Sequence, residues 1–158
     1  MKILGIDPGT ARLGWGIIKY QNNQFQVLNF GCIETSSKIS DARRLKKIAK
    51  ELEKIIRKNQ PEILAIEEIF FSKNIKTAIS VAQSRGVVLL VAEKNNLKIR
   101  EFKPVEVKQA VTGVGNASKE QVQKMVRLVL NLKKIPKLDD TADALACAIV
   151  ACGNSYET

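Results

Sequence analysis

The segment Lys2-Ile-Leu-Gly-Ile-Asp-Pro-Gly-Thr10 predicts a short buried strand that ends abruptly in an acidic residue. Ile3–Asp7 is an apolar run closed by a carboxylate, and Pro8-Gly9 then forces a turn. Burying a lone carboxylate is costly unless another group pairs with it, so an acid at this position is expected to have a partner or a function. Because active-site groups gather at the C-terminal ends of strands in open α/β sheets, Asp7 is the first candidate functional residue.

Strand and helix patterns alternate along the rest of the chain. Gly14–Tyr20 and Phe25–Glu34 continue from the first strand as an antiparallel meander, joined by turn residues at Gln21-Asn22-Asn23. The further predicted elements are a helix from Ser40 or Asp41 to about Asn59, a strand at Glu62–Glu67, a helix from Asn74 to about Lys94, a strand at Lys98–Phe102, helices at Pro104–Val111 and Ser118–Leu132, and a last helix from about Asp139 to Cys152. This order predicts an α/β fold, a mixed five-stranded sheet with helices on both faces, in a single domain spanning residues 1–158.

Three more acids occupy positions comparable to that of Asp7. Glu67 closes the apolar run Ile63–Ile66, while Asp140 and Asp143 lie three residues apart and project from one face of the last helix. Four carboxylates brought together would repel one another, and Mg²⁺ or Mn²⁺ would resolve that repulsion because hard cations prefer oxygen ligands. Two such ions about 4 Å apart can activate a water and stabilise the leaving oxygen of a phosphoryl displacement.

Two acids adjacent to this set stay open as alternatives. Glu68 follows Glu67 directly, and Asp139 precedes Asp140 and shares a helix face with Asp143. Spacing alone excludes neither residue from the set of metal-binding acids.

The overall charge indicates an anionic partner. The net charge is +10 and the isoelectric point is near 9.7, so nucleic acid is the obvious polyanion. The chain has no histidine, which argues against zinc catalysis, a Ser-His dyad and a Cys-His pair. Three cysteines without Cys-x-x-Cys spacing predict buried thiols rather than a disulfide framework. The apolar stretches are too short for a signal peptide or a membrane span, which predicts a cytoplasmic protein.

Five segments, in this order, closely resemble the RuvC family of bacterial Holliday junction resolvases. They are Gly5-Ile-Asp-Pro-Gly-Thr10, Ala65-Ile-Glu-Glu-Ile-Phe-Phe-Ser-Lys-Asn74, Ala82-Gln-Ser-Arg-Gly-Val87, Val107-Lys-Gln-Ala-Val-Thr-Gly-Val-Gly-Asn-Ala-Ser-Lys119 and Asp140-Thr-Ala-Asp-Ala-Leu-Ala146. The resemblance runs from Lys2 to about Ala151. It implies a ribonuclease H-like fold and a homodimer that makes Mg²⁺-dependent paired nicks in a four-way DNA junction. It also implies cooperation with the RuvA-RuvB branch-migration complex.

The resemblance assigns roles to individual residues. It makes Asp7 the central metal ligand, completes the set with Glu67, Asp140 and Asp143, and so prefers these residues to Glu68 and Asp139. The implied DNA-contacting residues are Phe70 or Phe71 as a stacking wedge, Lys73, Lys108 and Lys119 near the cut, and Arg85. Exposed aromatic side chains beside a basic loop can stack on unpaired bases at roughly 1–3 kcal/mol per base. The apolar helix from Asn74 is the predicted dimer contact, with burial in the core as the alternative.

Two other functions compete with the nuclease. An ATP-binding domain of the actin and sugar-kinase type also begins with Asp-x-Gly-Thr and a glycine hairpin, but that class needs two such domains. Gly14-Trp-Gly16 matches no phosphate loop and predicts hairpin glycines. A nucleic-acid-binding module without catalysis would need no ordered set of acids.

Overall fold

The computed structural model of the chain describes residues 1–69, 75–136 and 138–153. In chain order the elements are β1 (Lys2–Asp7), β2 (Arg12–Gln21), β3 (Gln24–Glu34), α1 (Asp41–Asn59), β4 (Ile63–Glu67), α2 (Ile75–Lys94), β5 (Lys98–Phe102), α3 (Pro104–Thr112), α4 (Lys119–Val129) and α5 (Asp139–Gly153). The predicted α/β fold with a mixed five-stranded sheet is confirmed.

The sheet has the strand order β3-β2-β1-β4-β5. β1, β2 and β3 pair antiparallel, and β4 is parallel to both β1 and β5. Asn22 and Asn23 close the β2–β3 hairpin with φ values of 51° and 57°, as a two-residue turn requires. Ile6 is the register partner of Ile66, so the residues that follow this pair, Asp7 and Glu67, end their strands at the same edge of the sheet.

Both faces of the sheet are covered by helices. Successive side chains of a strand point to opposite faces, so Ile3 packs into the core formed with α3, α4 and α5, whereas Leu4 and Ile6 pack into the core formed with α1 and α2. The long helix α1 begins after Ser40, whose hydroxyl accepts a hydrogen bond from the Arg43 N–H. With the faces covered, polar functional groups are left to the edge where the strands end.

Helix α5 approaches β1 and β2 so closely that a Cβ at any of three positions beneath it would overlap the helix. A Cβ at Gly5 or Gly14 would overlap the backbone carbonyl of Ala144 or Asp140, and a Cβ at Gly16 would lie 2.5 Å from the Leu145 side chain. Gly14 and Gly16 lie within β2, the second strand of the β1–β2 hairpin, and the lack of a Cβ there serves the approach of α5 rather than a tight turn. Since Asp7 pairs with Gly14 in the sheet, this contact brings the start of α5 next to Asp7.

The predicted element boundaries differ from the observed ones where short-range geometry decides. The helix predicted to run to Leu132 ends at Val129 because Asn131 adopts a φ of 48°, which no right-handed helix continues. Cys147 and Cys152 are buried in α5, Cys32 is partly exposed, and none of the three forms a disulfide within the described ranges. No helix in the described part of the chain is long and apolar enough to cross a membrane.

Candidate active site

The four acids singled out in the sequence meet at one edge of the sheet. Asp7 and Glu67 end β1 and β4, and Asp140 and Asp143 lie in the first turns of α5 above Gly14. Burial, followed by the charges of Asp143, Asp140 and Glu67, raises the pKa of Asp7 to about 7, and the Lys119 charge opposes this rise. The four side chains are therefore close enough to interact electrostatically.

Two other members of the cluster also resist ionisation. Burial and then the Asp143 charge raise the pKa of Glu67, with Lys108 acting in the opposite direction. Burial also raises the pKa of Asp143, although the Lys119 ammonium group counteracts part of that effect. Burial first, and then their mutual charges, thus disfavour the ionised form of these carboxyl groups.

The alternative acids have different surroundings: Glu68 lines a cleft with Asp7 and Glu67, and Asp139 opens α5 beside Asp140. Neither Glu68 nor Asp139 is among the groups that raise the pKa of Asp7. The Asp139 side chain is 58% exposed and accepts a hydrogen bond from Nε2 of Gln123 at 2.9 Å. Asp140 and Glu67 are thus the members of the two adjacent pairs whose charges act most on the pKa of Asp7.

Two cations of the chain itself contact the α5 carboxylates. Nε of Arg12 lies 3.0 Å from Oδ2 of Asp140, and Nζ of Lys119 lies 3.2 Å from Oδ2 of Asp143 and 3.5 Å from Oδ2 of Asp139. The buried Oδ2 of Asp140 accepts no hydrogen bond from the described residues. The Arg12 contact is therefore close in distance but poorly aligned for a hydrogen bond. The sequence reasoning missed Arg12, since nothing in its local pattern links it to a residue on α5.

The donor set fits Mg²⁺ in its chemistry, although the ligands do not yet converge. All four side chains offer hard carboxylate oxygens, and one of these oxygens is buried without a hydrogen bond. Within the described ranges, however, no group of three or more acidic or cysteine side chains stands in position to hold one metal ion.

The loop after Asp7 is fixed to α2 by hydroxyl groups. Oγ1 of Thr10 donates to the Ser80 carbonyl at 2.7 Å and accepts from Oγ of Ser80 at 2.7 Å, while Oγ of Ser84 donates to the Gly9 carbonyl at 3.2 Å. The sequence analysis missed these residues, whose signal was two serines four residues apart in a helix rich in valine and leucine. Their hydrogen bonds hold the turn that presents the Asp7 carboxylate.

The structure places two of the predicted DNA-contacting residues beside the acids and turns a third one inward. Lys108 and Lys119 line a cleft of about 220 Å³ together with Glu67 and Asp143. Arg85 instead faces inward: its side chain is 17% exposed, its Nε donates to the Glu67 carbonyl at 3.3 Å, and it forms an ion pair with Glu101. Phe70, Phe71 and Lys73 lie outside the described residues.

The sequence is similar to named proteins over nearly its whole length. The family model described as Crossover junction endodeoxyribonuclease RuvC matches residues 3–151. The protein of that name from Alkaliphilus oremlandii is 53% identical over 149 residues, which cover 94% of this chain and 91% of that protein. Its counterpart from Caldanaerobacter subterraneus subsp. tengcongensis is 50% identical over 152 residues, which cover 96% of this chain and 92% of that protein.

Solved structures agree with the sequence comparison. Thermus thermophilus RuvC is 33% identical and superposes with a TM-score of 0.89, covering 96% of this chain and 93% of that one. The same protein in complex with a Holliday junction substrate gives a TM-score of 0.90 over the same shares. The fowlpox virus resolvase shares the fold at 14% identity and a TM-score of 0.62. The ribonuclease H-like fold class is thereby confirmed.

Proposed function

This chain belongs to the RuvC family of crossover junction endodeoxyribonucleases, and from this premise we propose that it resolves four-way (Holliday) DNA junctions by paired symmetric nicks during recombination and repair. The observation that supports this function at the level of residues is the cluster of four carboxylates beside two lysines at one open edge of the sheet. A binding module without catalysis gives no reason to bury acids that would repel DNA.

Asp7, Glu67, Asp140 and Asp143 are the proposed metal ligands and catalytic residues. The oxygen chemistry of all four acids and the raised pKa values of Asp7, Glu67 and Asp143 support Mg²⁺, as a pair of ions, with Mn²⁺ as a substitute. When bound, such ions supply an activated water and stabilise the leaving oxygen of an in-line displacement. The protein's own contribution is to hold the four acids on two strand ends and one helix.

Lys108 and Lys119 are proposed to bind the backbone phosphate at the cut. Both ammonium groups border the cleft that contains Glu67 and Asp143, so a phosphate held by them lies beside the acids. Phe70, with Phe71 as the alternative, remains the proposed stacking residue, and Lys73 remains a proposed phosphate contact. Arg85 could reach DNA only by leaving Glu101, so a role in holding the end of β4 fits its position better.

Two symmetric nicks require two active sites, which a two-fold homodimer provides. Ile79, Gly86 and Leu90 share one face of α2 because they are spaced seven and four residues apart. The side chains of Ile79 and Leu90 are 55% and 56% exposed, and no atom lies within 4 Å of the place where a Cβ of Gly86 would stand. We propose this face as the dimer contact. The RuvA-RuvB complex is the proposed partner, and the bacterial cytoplasm is the proposed location.

The test is cleavage of an immobile synthetic four-way junction with varied sequences at the crossover. We expect paired symmetric nicks with Mg²⁺, none without it, and none in a linear duplex of the same sequence. The variant Asp7→Asn should bind the junction and leave it intact. Tight binding without cutting by the unaltered protein would favour a binding module, and nucleotide hydrolysis without junction binding would favour the ATP-binding class.

A further inference from the structure

Two of the four proposed metal ligands are already paired with cations of the chain itself. Lys119 contacts Asp143 at 3.2 Å, and Arg12 contacts Asp140 at 3.0 Å. Both acids lie on α5, whereas Asp7 and Glu67 on the strands have no ion pair with a described residue. The α5 carboxylates therefore have cationic partners within the chain, and the strand carboxylates do not.

Both pairs have the geometry of exchangeable contacts. The Lys119 and Arg12 side chains are 54% and 51% exposed, against 30% and 21% for their acidic partners, so each cation reaches in from the solvent side. The Lys119 contacts at 3.2 and 3.5 Å are longer than a strong charge-assisted hydrogen bond, which is about 2.7–2.9 Å. The Arg12 contact leaves its acceptor oxygen without an aligned hydrogen bond.

Both cations also border open space that a DNA backbone can enter. Lys119 lines the cleft of about 220 Å³ with Lys108. Arg12 lines a separate cleft of about 430 Å³ with Arg44 and Asp140. A phosphate in either cleft offers the nearby cation an anionic partner other than the α5 carboxylate.

We propose that Lys119 and Arg12 act as internal counter-cations that occupy Asp143 and Asp140 until DNA phosphates draw them away. This inference rests on the proposed function and makes metal binding at the same site dependent on DNA binding. The free protein binds metal weakly, and DNA frees two carboxylates for coordination. Because linkage is reciprocal, metal strengthens junction binding by the same factor by which the junction strengthens metal binding.

The first experiment measures Mn²⁺ affinity without DNA, from the spectroscopic signal of free Mn²⁺ at pH 8. Lys119→Met and Arg12→Met remove one counter-cation each and keep an apolar stem. We expect each variant to bind Mn²⁺ about twofold to fivefold more tightly than the unaltered protein, as loss of a partly exposed ion pair implies. Lys124→Met, an exposed position on the same helix as Lys119, should bind Mn²⁺ like the unaltered protein.

The variant Lys108→Met distinguishes the loss of a cation paired with an α5 carboxylate from the loss of any positive charge near the acids. Lys108 acts on Glu67 through its charge and lines the same cleft, but its ammonium group makes no ion pair with an α5 carboxylate among the described residues. A counter-cation role predicts a clearly smaller gain for Lys108→Met than for Lys119→Met. Equal gains would overturn the proposal, because they would mean that any nearby positive charge has the same effect.

The second experiment measures the affinity for a four-way junction with and without Ca²⁺, a hard cation that takes the same oxygen ligands. The unaltered protein should bind the junction more tightly with Ca²⁺, and this ratio should be smaller for Lys119→Met, although that variant also binds DNA more weakly. Lys124→Met should keep the ratio of the unaltered protein. An unchanged ratio in Lys119→Met would overturn the coupling.

The outcomes distinguish this inference from the proposed function. If the unaltered protein binds Mn²⁺ and cuts junctions, but Lys119→Met binds Mn²⁺ no more tightly, the counter-cation role alone is wrong. If no variant binds Mn²⁺ and junctions are not cut, both the role and the metal-dependent nuclease are overturned.

Discussion

Burial and three neighbouring carboxylates raise the pKa of Asp7 to about 7 from an ordinary value of 3.8, and this rise links metal-free stability to pH. In the unfolded chain the group loses its proton near pH 4, whereas in the folded chain it keeps the proton until about pH 7. Between these values the folded state holds the extra proton, so stability falls as pH rises and the full cost is present above pH 7.

Replacing this carboxyl should therefore stabilise the protein while it abolishes cleavage. We expect Asp7→Asn to raise the free energy of unfolding in EDTA at pH 8 by about 2–4 kcal/mol, with little gain at pH 4, because each unit of pKa corresponds to about 1.4 kcal/mol. Denaturant unfolding at the two pH values measures this difference. Glu93→Gln, at an exposed position on α2, is the matched control. A loss of stability at both pH values would refute the electrostatic argument.

The same proton should compete with the metal. Below pH 7 Asp7 retains its proton, and a carboxyl must lose its proton to become a metal ligand. We expect saturating Mg²⁺ to raise the melting temperature by about 3–8 °C at pH 8 and by much less at pH 6. Thermal unfolding of the unaltered protein and of Asp7→Asn provides the measurement. An equal Mg²⁺ effect in both proteins would remove Asp7 from the ligand set.

At the scale of elements, the site depends on how closely α5 lies on β2. Gly14→Ala places a methyl group against the backbone carbonyl of Asp140, which cannot rotate away. We expect a loss of about 2–3 kcal/mol in the free energy of unfolding and a cleavage rate at least about tenfold lower, because the start of α5 must move. Gly16→Ala meets only the side chain of Leu145 and should lose less of both. If Gly14→Ala and Gly16→Ala lose the same stability in denaturant unfolding and the same activity in cleavage assays, this explanation is contradicted.

The same contact marks the limit of what the sequence predicts. The bounds of α1 and β5 follow from local apolar periodicity and caps, and each acid is visible because it closes an apolar run or opens a helix. The role of Gly14 beneath α5 was missed because a glycine within a strand has no local signature of the helix packed above it. The Arg12–Asp140 pair is likewise set by packing between distant segments, so no spacing rule finds it.

At the scale of the whole molecule, the described part of the chain presents the active-site edge and an exposed apolar face on α2. A four-way junction has two equivalent strands to cut, and a single chain offers one cluster of the four acids. Joining two copies through α2 would give two such clusters related by a two-fold axis. Assembly and the coupling of the two nicks should then depend on the same side chains.

Leu90→Glu tests this link between assembly and paired cutting. Its side chain is 56% exposed on α2, and a glutamate there would place like charges against each other near a two-fold axis. We expect the dimer dissociation constant to rise at least about tenfold, because a charge buried in an interface is costly. Sedimentation should detect monomers, and junction assays should show single nicks in place of paired ones. Leu128→Glu, 64% exposed on α4, places the same charge on another surface and should remain dimeric. If Leu90→Glu stays dimeric and still makes paired nicks, the dimer contact lies elsewhere on the molecule.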